Sequence, residues 1–263
     1  MSSLAISEIT TAEWAFAEDV AAYAALDGVD GIGVWREKIE SVGVENAAAM
    51  LDENDLEAAS LTYAGGFVED FEEAVADGKQ ALRDAATLGA PVLLVLGGPR
   101  LGIDAVEGNR RVRDALDALA PIAEETGVTL GVEPIHPMQV TVFSTVVTLD
   151  QARELVADVP NAGVVFDTWN TWWDPEIGDA IARAGEDIVA VHVADWRHPA
   201  DDPRDRAPPG EGVIPLDELL SIAEGTGYDD WYEIELFTDQ YESDEYDSLL
   251  ETCIEGTRPL LPE

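Results

Sequence analysis

The chain has 263 residues, of which 46% are hydrophobic, and this suits one α/β domain with a sizeable buried core. Acidic residues outnumber basic ones 55 to 14, and the resulting formal net charge of -41 argues against duplex nucleic acid, which needs a basic surface. We expect a cytoplasmic protein, because no apolar run approaches the roughly 18 residues of a membrane span, no signal peptide is evident and Cys253 is the only cysteine.

The large negative charge allows two interpretations. One is a specific cationic partner. The other is a generally acidic, halophilic surface adapted to molar intracellular salt, in which the Debye length falls to about 3 Å. The acidic residues are spread along nearly every predicted helix rather than gathered in one tail. This distribution favours the halophilic interpretation.

Strands and helices alternate through the first half of the chain. The predicted strands span residues 4–8, 29–34, 58–63 and 91–96, and the predicted helices span 11–26, 43–54, 67–88 and 108–126. Thr11 is the expected N-cap of the first helix. Gly97-Gly98-Pro99-Arg100 ends the fourth strand, where it forms either a tight turn, which we favour, or a phosphate-binding loop.

The same alternation continues through the second half. Strands are predicted at 128–133, 162–167, 188–192 and 231–235, with helices at 148–157, 175–184, 216–224 and 244–256. The one long loop, at 198–213, follows the seventh strand and is expected to cover the active-site face. Eight strands that alternate with about eight helices predict a single (β/α)8 TIM barrel domain over residues 1–263.

Each of the last four predicted strands stops on a side chain that can bind a metal. These residues are Glu133, Asp167, His192 and Glu235, and they follow one another at intervals of 34, 25 and 43 residues. The carboxyl ends of barrel strands converge on one site. Any one of these residues alone would more simply be a loop, ion-pair or buried polar residue. Together they predict a divalent-cation site.

The segments around these residues resemble the xylose isomerase-like TIM barrels, a family of sugar phosphate isomerases and epimerases. The resemblance covers essentially the whole chain. It is carried by Gly31-Ile-Gly-Val-Trp35-Arg36, Gly131-Val-Glu133-Pro134-Ile-His136-Pro137, Phe166-Asp167-Thr-Trp-Asn170-Thr-Trp172-Trp173-Asp174-Pro175, His192-Val-Ala-Asp195-Trp196, Asp205-Arg206-Ala-Pro-Pro-Gly210-Glu211-Gly212 and Glu233-Ile-Glu235.

The resemblance implies one divalent metal ion, Mn²⁺ or Mg²⁺ before Co²⁺ or Zn²⁺, bound by Glu133, Asp167, His192 and Glu235. It also implies that Glu133 and Glu235 move protons on either side of a sugar carbon. The expected reaction is isomerisation or epimerisation of a ketose or related carbohydrate, by proton abstraction next to a carbonyl through a metal-stabilised enediolate. Relatives are often homo-oligomers, so a homo-oligomer is an expected state.

Six side chains are candidates for substrate contact. Arg206 matches the family arginine that contacts substrate oxygens. The others are Asn170, His136, Trp35, Trp172 and Arg197. Asn170 stands where many relatives carry a histidine, so it keeps amide hydrogen bonding but cannot exchange a proton.

Three of the remaining contact candidates have a structural alternative. His136 could instead support its loop, Arg197 could pair with a neighbouring acid, and Trp172 could pack the barrel mouth. Tyr63 stands where we expected a basic residue before the glycine pair that ends the third strand. This makes a phosphorylated substrate less expected.

Three alternative functions share this fold. A lyase that dehydrates a keto-inositol would begin with the same proton abstraction. A non-catalytic carbohydrate-binding barrel would not need both glutamates. Cleavage of abasic DNA uses a three-zinc site rich in histidine, whereas this chain has only His136, His192 and His198.

Overall fold

Eight parallel strands close into a barrel in the computed structural model, which describes residues 3–199, 202 and 204–261. The barrel strands are β1 (Leu4–Ser7), β2 (Gly31–Trp35), β3 (Glu57–Gly65), β4 (Val92–Leu96), β5 (Thr129–Val132), β6 (Ala162–Asp167), β7 (Ile188–Val193) and β10 (Tyr232–Ile234). Two short strands, β8 (Asp195–Trp196) and β9 (Arg206–Ala207), pair beside it. The predicted (β/α)8 barrel is confirmed.

The barrel closes where its first and last strands meet. Ala5 of β1 lies beside Glu233 of β10 on one side and beside Gly31 of β2 on the other. Every neighbouring pair around the barrel is parallel, so all eight carboxyl ends open on one face.

The helices surround this barrel. They are α1 (Phe16–Ala24), α2 (Arg36–Ile39), α3 (Val44–Glu53), α4 (Phe71–Leu88), α5 (Ala105–Thr126), α6 (Leu149–Val156), α7 (Thr168–Thr171), α8 (Ile177–Ala184), α9 (Leu216–Gly225) and α10 (Tyr246–Thr257). Asp70, Asp104 and Thr148 cap the amino ends of α4, α5 and α6 by accepting backbone N–H bonds. None of the described helices is both long and apolar enough to cross a bilayer.

The predicted first helix is wrong at its amino end. Residues Glu8–Thr11 form a 3-10 turn, and α1 begins only at Phe16. The Thr11 hydroxyl does not cap a helix. It donates to Asp19 Oδ1 at 2.5 Å and lies 2.6 Å from the Tyr23 hydroxyl. The Thr11 hydroxyl, which the local sequence pattern predicted as a helix cap, therefore belongs to a tertiary hydrogen-bond network.

The connection after β4 runs from Gly97 to Asp104 before α5 begins, and its glycine pair bonds to the segment around Ser144. Gly97 N–H donates to Ser144 Oγ at 3.2 Å, and Gly98 N–H donates to the Phe143 carbonyl at 3.1 Å. Arg100 N–H donates to Val140. Because these amides are already bonded to the protein, they are poorly suited to cradle a phosphate.

The second half of the loop at 198–213 is bonded to residues next to the barrel. Its β9 segment pairs antiparallel with β8. The Asp195 carboxylate accepts backbone N–H bonds from Gly210, Gly212 and Ile214 at 2.8–3.1 Å. Residues 200, 201 and 203 of the expected cover lie outside the described residues. These bonds hold the loop segment that carries Arg206 at the barrel mouth.

Candidate metal centre

The four predicted ligand residues come together at the carboxyl face of the barrel. Glu133 directly follows β5, Asp167 ends β6, His192 lies in β7 and Glu235 directly follows β10. Asp167 and His192 are register partners on neighbouring strands. One ligand atom from each of the four residues lies within 4.8 Å of all the others.

This donor set fits a divalent cation. Carboxylate oxygens and an imidazole nitrogen suit Mg²⁺, Mn²⁺, Co²⁺ and Zn²⁺. Ligand atoms bound about 2.0–2.3 Å from one ion lie no more than about 4–4.6 Å apart, close to the span of this cluster. All four residues are buried, and neither ring nitrogen of His192 has a hydrogen-bond partner among the described residues. A bound cation would satisfy one of these nitrogens.

Negative charge is concentrated at this site. Burial, followed by the charge of Glu235, raises the pKa of Glu133 to about 7. Burial alone would also raise the pKa of Asp167, but the positive charges of Arg206 and His192 lower it. Burial opposes protonation of His192, yet the charges of Glu235 and Glu233 outweigh this effect and raise its pKa to about 10. The cluster attracts positive charge, whether from protons or from a metal.

Arg206 and Asn170 hold the ligand carboxylates from two sides. Arg206 Nη1 donates to Glu235 Oε2 at 2.7 Å and to Asp167 Oδ2 at 3.1 Å. Asn170 Nδ2 donates to Asp167 Oδ2 at 2.7 Å and to Glu133 Oε1 at 3.2 Å. Asn170 is fully buried, so in this arrangement its amide orients two carboxylates rather than facing the open cavity.

A cavity of about 300 Å³ opens beside the ligand cluster. Among the predicted site residues, Trp35, Glu133, Arg206 and Glu235 line it. Its further lining includes Glu37, Tyr63, Phe143, Trp169, Arg204 and Phe237. The volume is at the lower end of the range for small-molecule sites.

Trp169 is a lining residue that the sequence reasoning did not single out. Its indole lies under the Arg206 guanidinium, 4.8 Å from ring centroid to Cζ, and stacks on Trp196 at 4.9 Å. Four tryptophans follow β6 and β7, and nothing in the local sequence indicates which of them lines the cavity.

The other three candidates for substrate contact do not line the cavity; they are His136, Trp172 and Arg197. Trp172 packs against Trp196, with ring centroids 5.5 Å apart. The half-buried His136 ring packs against Trp169 and Trp196, and its Nδ1 accepts the Met138 N–H at 3.3 Å. Neither His136 nor Trp172 lines the cavity itself, and their contacts are those of the structural alternatives given for both residues.

Arg197 forms an ion pair with a neighbouring acid, which is the structural alternative given for it. Its Nε lies 2.7 Å from Asp205 Oδ2, which forms an ion pair within the loop that carries Arg206. Its Nη2 donates to the Arg206 carbonyl at 3.3 Å. Arg197 therefore supports the position of Arg206 from behind.

Glu233 is a fourth acidic residue beside the cluster, and the sequence pattern had given it no role. It precedes Glu235 by two residues, so both side chains point into the barrel. Glu233 Oε2 accepts from the Ser60 hydroxyl at 2.7 Å and lies 3.8 Å from His192 Nε2. Burial raises the pKa of this carboxyl group. The period-2 pattern of Glu233-Ile-Glu235 was the signal that could have found it.

Comparisons with known proteins agree with this geometry. The family described as xylose isomerase-like TIM barrel matches residues 20–255. The inosose isomerase of Bacillus licheniformis is 32% identical over 154 residues, which are 55% of this chain and 52% of that protein. The chain thus matches about half the length of this curated relative.

Solved structures extend the similarity over the whole chain. Protein SMc04130 of Sinorhizobium meliloti is 32% identical, with a TM-score of 0.92 over 99% of this chain and 98% of that chain. The IolI protein, solved with a bound zinc atom, is 24% identical, with a TM-score of 0.86 over the same shares, and shows the shared fold. The match over residues 20–255 settles the family: the chain belongs to the xylose isomerase-like TIM barrels.

Proposed function

We propose that the protein is a metal-dependent isomerase or epimerase that moves a proton at the carbon next to a carbonyl in a small, uncharged polyhydroxy ketone. The observation that carries this proposal is that Glu133 and Glu235 both belong to the four-ligand cluster and both line the adjoining cavity. A substrate carbon in that cavity would have a carboxylate within reach from two different strands.

The cation and the glutamates would divide the chemistry. A divalent cation held by Glu133, Asp167, His192 and Glu235 would polarise a carbonyl and its neighbouring hydroxyl, which lowers the cost of removing the proton between them. Glu133, whose pKa is raised to about 7 by burial and by Glu235, is suited to accept and return a proton near neutral pH. Arg206 would orient Glu235 from behind, through Oε2 and the backbone carbonyl.

The cavity lining supports an uncharged substrate. Both arginines that line it are already paired: Arg206 with Glu235 at 2.7 Å and Arg204 with Asp202 at 2.8 Å. Glu37, Glu133 and Glu235 line the same space. A phosphate or carboxylate group would meet these negative charges without an unpaired cation from the described lining. A ketose or an inosose, the ketone of a cyclic polyol, avoids this repulsion.

The relatives support the same class of substrate. The Bacillus licheniformis protein is named for isomerisation of inosose. We place inososes first among the substrates to test and free ketoses second. A dehydrating lyase would use the same first proton transfer and then expel a hydroxyl group, so the product distinguishes the two reactions.

The test is a solvent-exchange screen in D₂O containing molar KCl. The protein is loaded in turn with Mn²⁺, Mg²⁺, Co²⁺ or Zn²⁺ and incubated with inososes, free ketoses and their phosphorylated counterparts. Deuterium at the carbon next to the carbonyl, read by NMR or mass spectrometry, is the expected result for uncharged substrates. An isomeric product without loss of water supports the isomerase, whereas a product lighter by one water identifies the lyase.

Two results would contradict the proposal. Exchange confined to phosphorylated substrates would refute the uncharged class. Absence of exchange across the panel with every metal, with tight binding of a sugar by calorimetry, would favour the non-catalytic carbohydrate-binding barrel.

A further inference from the structure

A buried carboxylate lies directly beneath the predicted ligand cluster, on the far side of the His192 ring. Glu233 and His192 are register partners on neighbouring strands β10 and β7. Glu235, two residues further along the chain, points the same way but lies nearer the cavity. The barrel interior therefore holds two layers, with Glu235 above and Glu233 below, and the imidazole spans the distance between them.

The two ring nitrogens of His192 face different carboxylates. Nδ1 lies 3.5 Å from Glu133 Oε1 and 3.7 Å from Glu235 Oε2, so it faces the ligand cluster. Nε2 lies 3.8 Å from Glu233 Oε2, so it faces the lower layer. Neither nitrogen has a hydrogen-bond partner among the described residues. The ring thus points one nitrogen at the cation site and the other at Glu233.

The barrel makes room for this lower carboxylate. Its Oε1 occupies space that a Cβ atom at Gly33 would fill, so any larger residue at 33 would displace it. The Ser60 hydroxyl donates to its Oε2 at 2.7 Å. Glu233 is 2% exposed. A buried carboxylate is costly unless it is paired, and the partner that still lacks a hydrogen bond beside it is the His192 ring.

From this placement we infer that Glu233 is a positioning residue for the metal centre. Because Glu233 lies nearest to Nε2, it favours the tautomer of the neutral His192 ring that carries its proton on that nitrogen, which leaves the Nδ1 lone pair free to bind the cation. A histidine ligand that donates its other ring N–H to a carboxylate is fixed in orientation and becomes a stronger ligand. The inference rests on the proposed metal site, and it adds a fourth carboxylate that binds no metal itself.

The test measures zinc binding and the histidine tautomer rather than activity. Wild type, Glu233→Gln, Glu233→Met and Ser60→Ala are titrated with Zn²⁺ in molar KCl, with Glu57→Gln as a matched control. Glu57 is an exposed residue at the amino end of β3, on the other face of the barrel. We expect an affinity loss of about tenfold for Glu233→Gln and up to about a hundredfold for Glu233→Met. Ser60→Ala should lie between wild type and Glu233→Gln, and the control should match wild type.

The tautomer is read by NMR on protein labelled with ¹⁵N-histidine and loaded with Zn²⁺. Only three histidines contribute signals. The expected His192 pattern has a protonated Nε2 and a zinc-bound Nδ1, and Glu233→Met should mix or reverse it. Circular dichroism of each variant verifies folding, and a purely structural role for Glu233 would leave the ring signals of a folded variant unchanged.

The possible failures separate the two proposals. Zinc bound through Nε2 would overturn the role of Glu233 while leaving the metal site intact. The same holds if the affinities of both folded Glu233 variants stay within about twofold of wild type. A wild-type protein that binds no zinc or other divalent ion would overturn the metal centre and this inference together.

Discussion

Arg206 binds Glu235 at two points: its Nη1 lies 2.7 Å from the carboxylate Oε2 and 2.9 Å from the backbone carbonyl oxygen of the same residue. The same nitrogen lies 3.1 Å from Asp167 Oδ2. All three side chains are buried. Because a buried carboxylate needs a compensating charge, Arg206 neutralises part of the ligand cluster by itself and shares that task with any bound cation.

Replacing Arg206 should therefore cost more stability without metal than with it. Arg206→Met leaves two buried carboxylates without their partner, and we expect a loss of about 3–5 kcal/mol in the free energy of unfolding in chelator. Saturating Mn²⁺ should recover part of that loss. Urea unfolding in KCl measures both values, and Arg206→Lys is the control that retains the charge. Equal losses with and without Mn²⁺ would disprove this shared role.

The two glutamates that line the cavity should each be required for proton transfer. Glu133→Gln and Glu235→Gln keep the size of the side chain but cannot accept a proton. The rate of deuterium exchange next to the substrate carbonyl should fall by about 10²–10⁴-fold in each variant. The exposed Glu57→Gln should exchange at the wild-type rate. Metal content is measured in parallel, and exchange at more than a tenth of the wild-type rate in a metal-loaded variant would exclude that residue as the acid or base.

Glu8 should make the protein less stable as pH rises. This carboxyl group is fully buried near Asp19 and Lys38, and burial followed by its interaction with Asp19 raises its pKa to about 9. The unfolded chain would release the proton near pH 4.5, so the stabilising contribution is complete below that pH and is lost between about 4.5 and 9. Glu8→Gln should remove this part of the decline.

The experiment compares free energies of unfolding at pH 5, 6, 7 and 8 in chelator. We expect the Glu8→Gln variant to gain stability relative to wild type as pH rises, by an amount on the order of 1 kcal/mol or more over this range. Trp35 N–H, which donates to Glu8 Oε2 at 2.7 Å, keeps an acceptor in the glutamine variant. A difference between the two proteins that stays constant with pH would refute the assignment.

The net charge of -41 predicts that the fold depends on salt. Between 1 M and 0.1 M KCl the Debye length grows from about 3 Å to about 10 Å, so repulsion among surface acids increases. Tm should fall over this range. Sucrose, which strengthens burial without screening charge, should not replace KCl at low ionic strength. A Tm that holds or rises in dilute salt would exclude the halophilic interpretation.

The sequence predicted the strands better than the first helix, for a physical reason. The strand before Asp167 was predicted at its observed bounds, because a short β-branched run that ends in a charged residue is a local signal. Thr11 also looks locally like a helix cap. Its hydroxyl instead bonds Asp19 and Tyr23, and these contacts exist only after the chain has folded.

The same distinction applies to the site. The clustering of the four predicted ligands could be foreseen, since each stands at or next to the carboxyl end of a strand and parallel strands bring these ends together. The partners of Asn170 were not, because its bonds to Asp167 and Glu133 depend on the conformation of α7. Glu233 could be placed inside the barrel by its alternation with Glu235. Its neighbours, Ser60 and Gly33, lie on other strands, so its role needed the three-dimensional register.

We propose that four buried side chains bind one divalent cation. The deciding experiment measures metal content per chain by mass spectrometry, after reloading with Mn²⁺, Mg²⁺, Co²⁺ or Zn²⁺ in turn and exhaustive dialysis in molar KCl. Wild type, His192→Ala and the control His198→Ala are compared. We expect about one ion per chain in wild type and His198→Ala, and a loss of most of it in His192→Ala. No retained metal in wild type with any of the four cations, or equal content in His192→Ala, would contradict it.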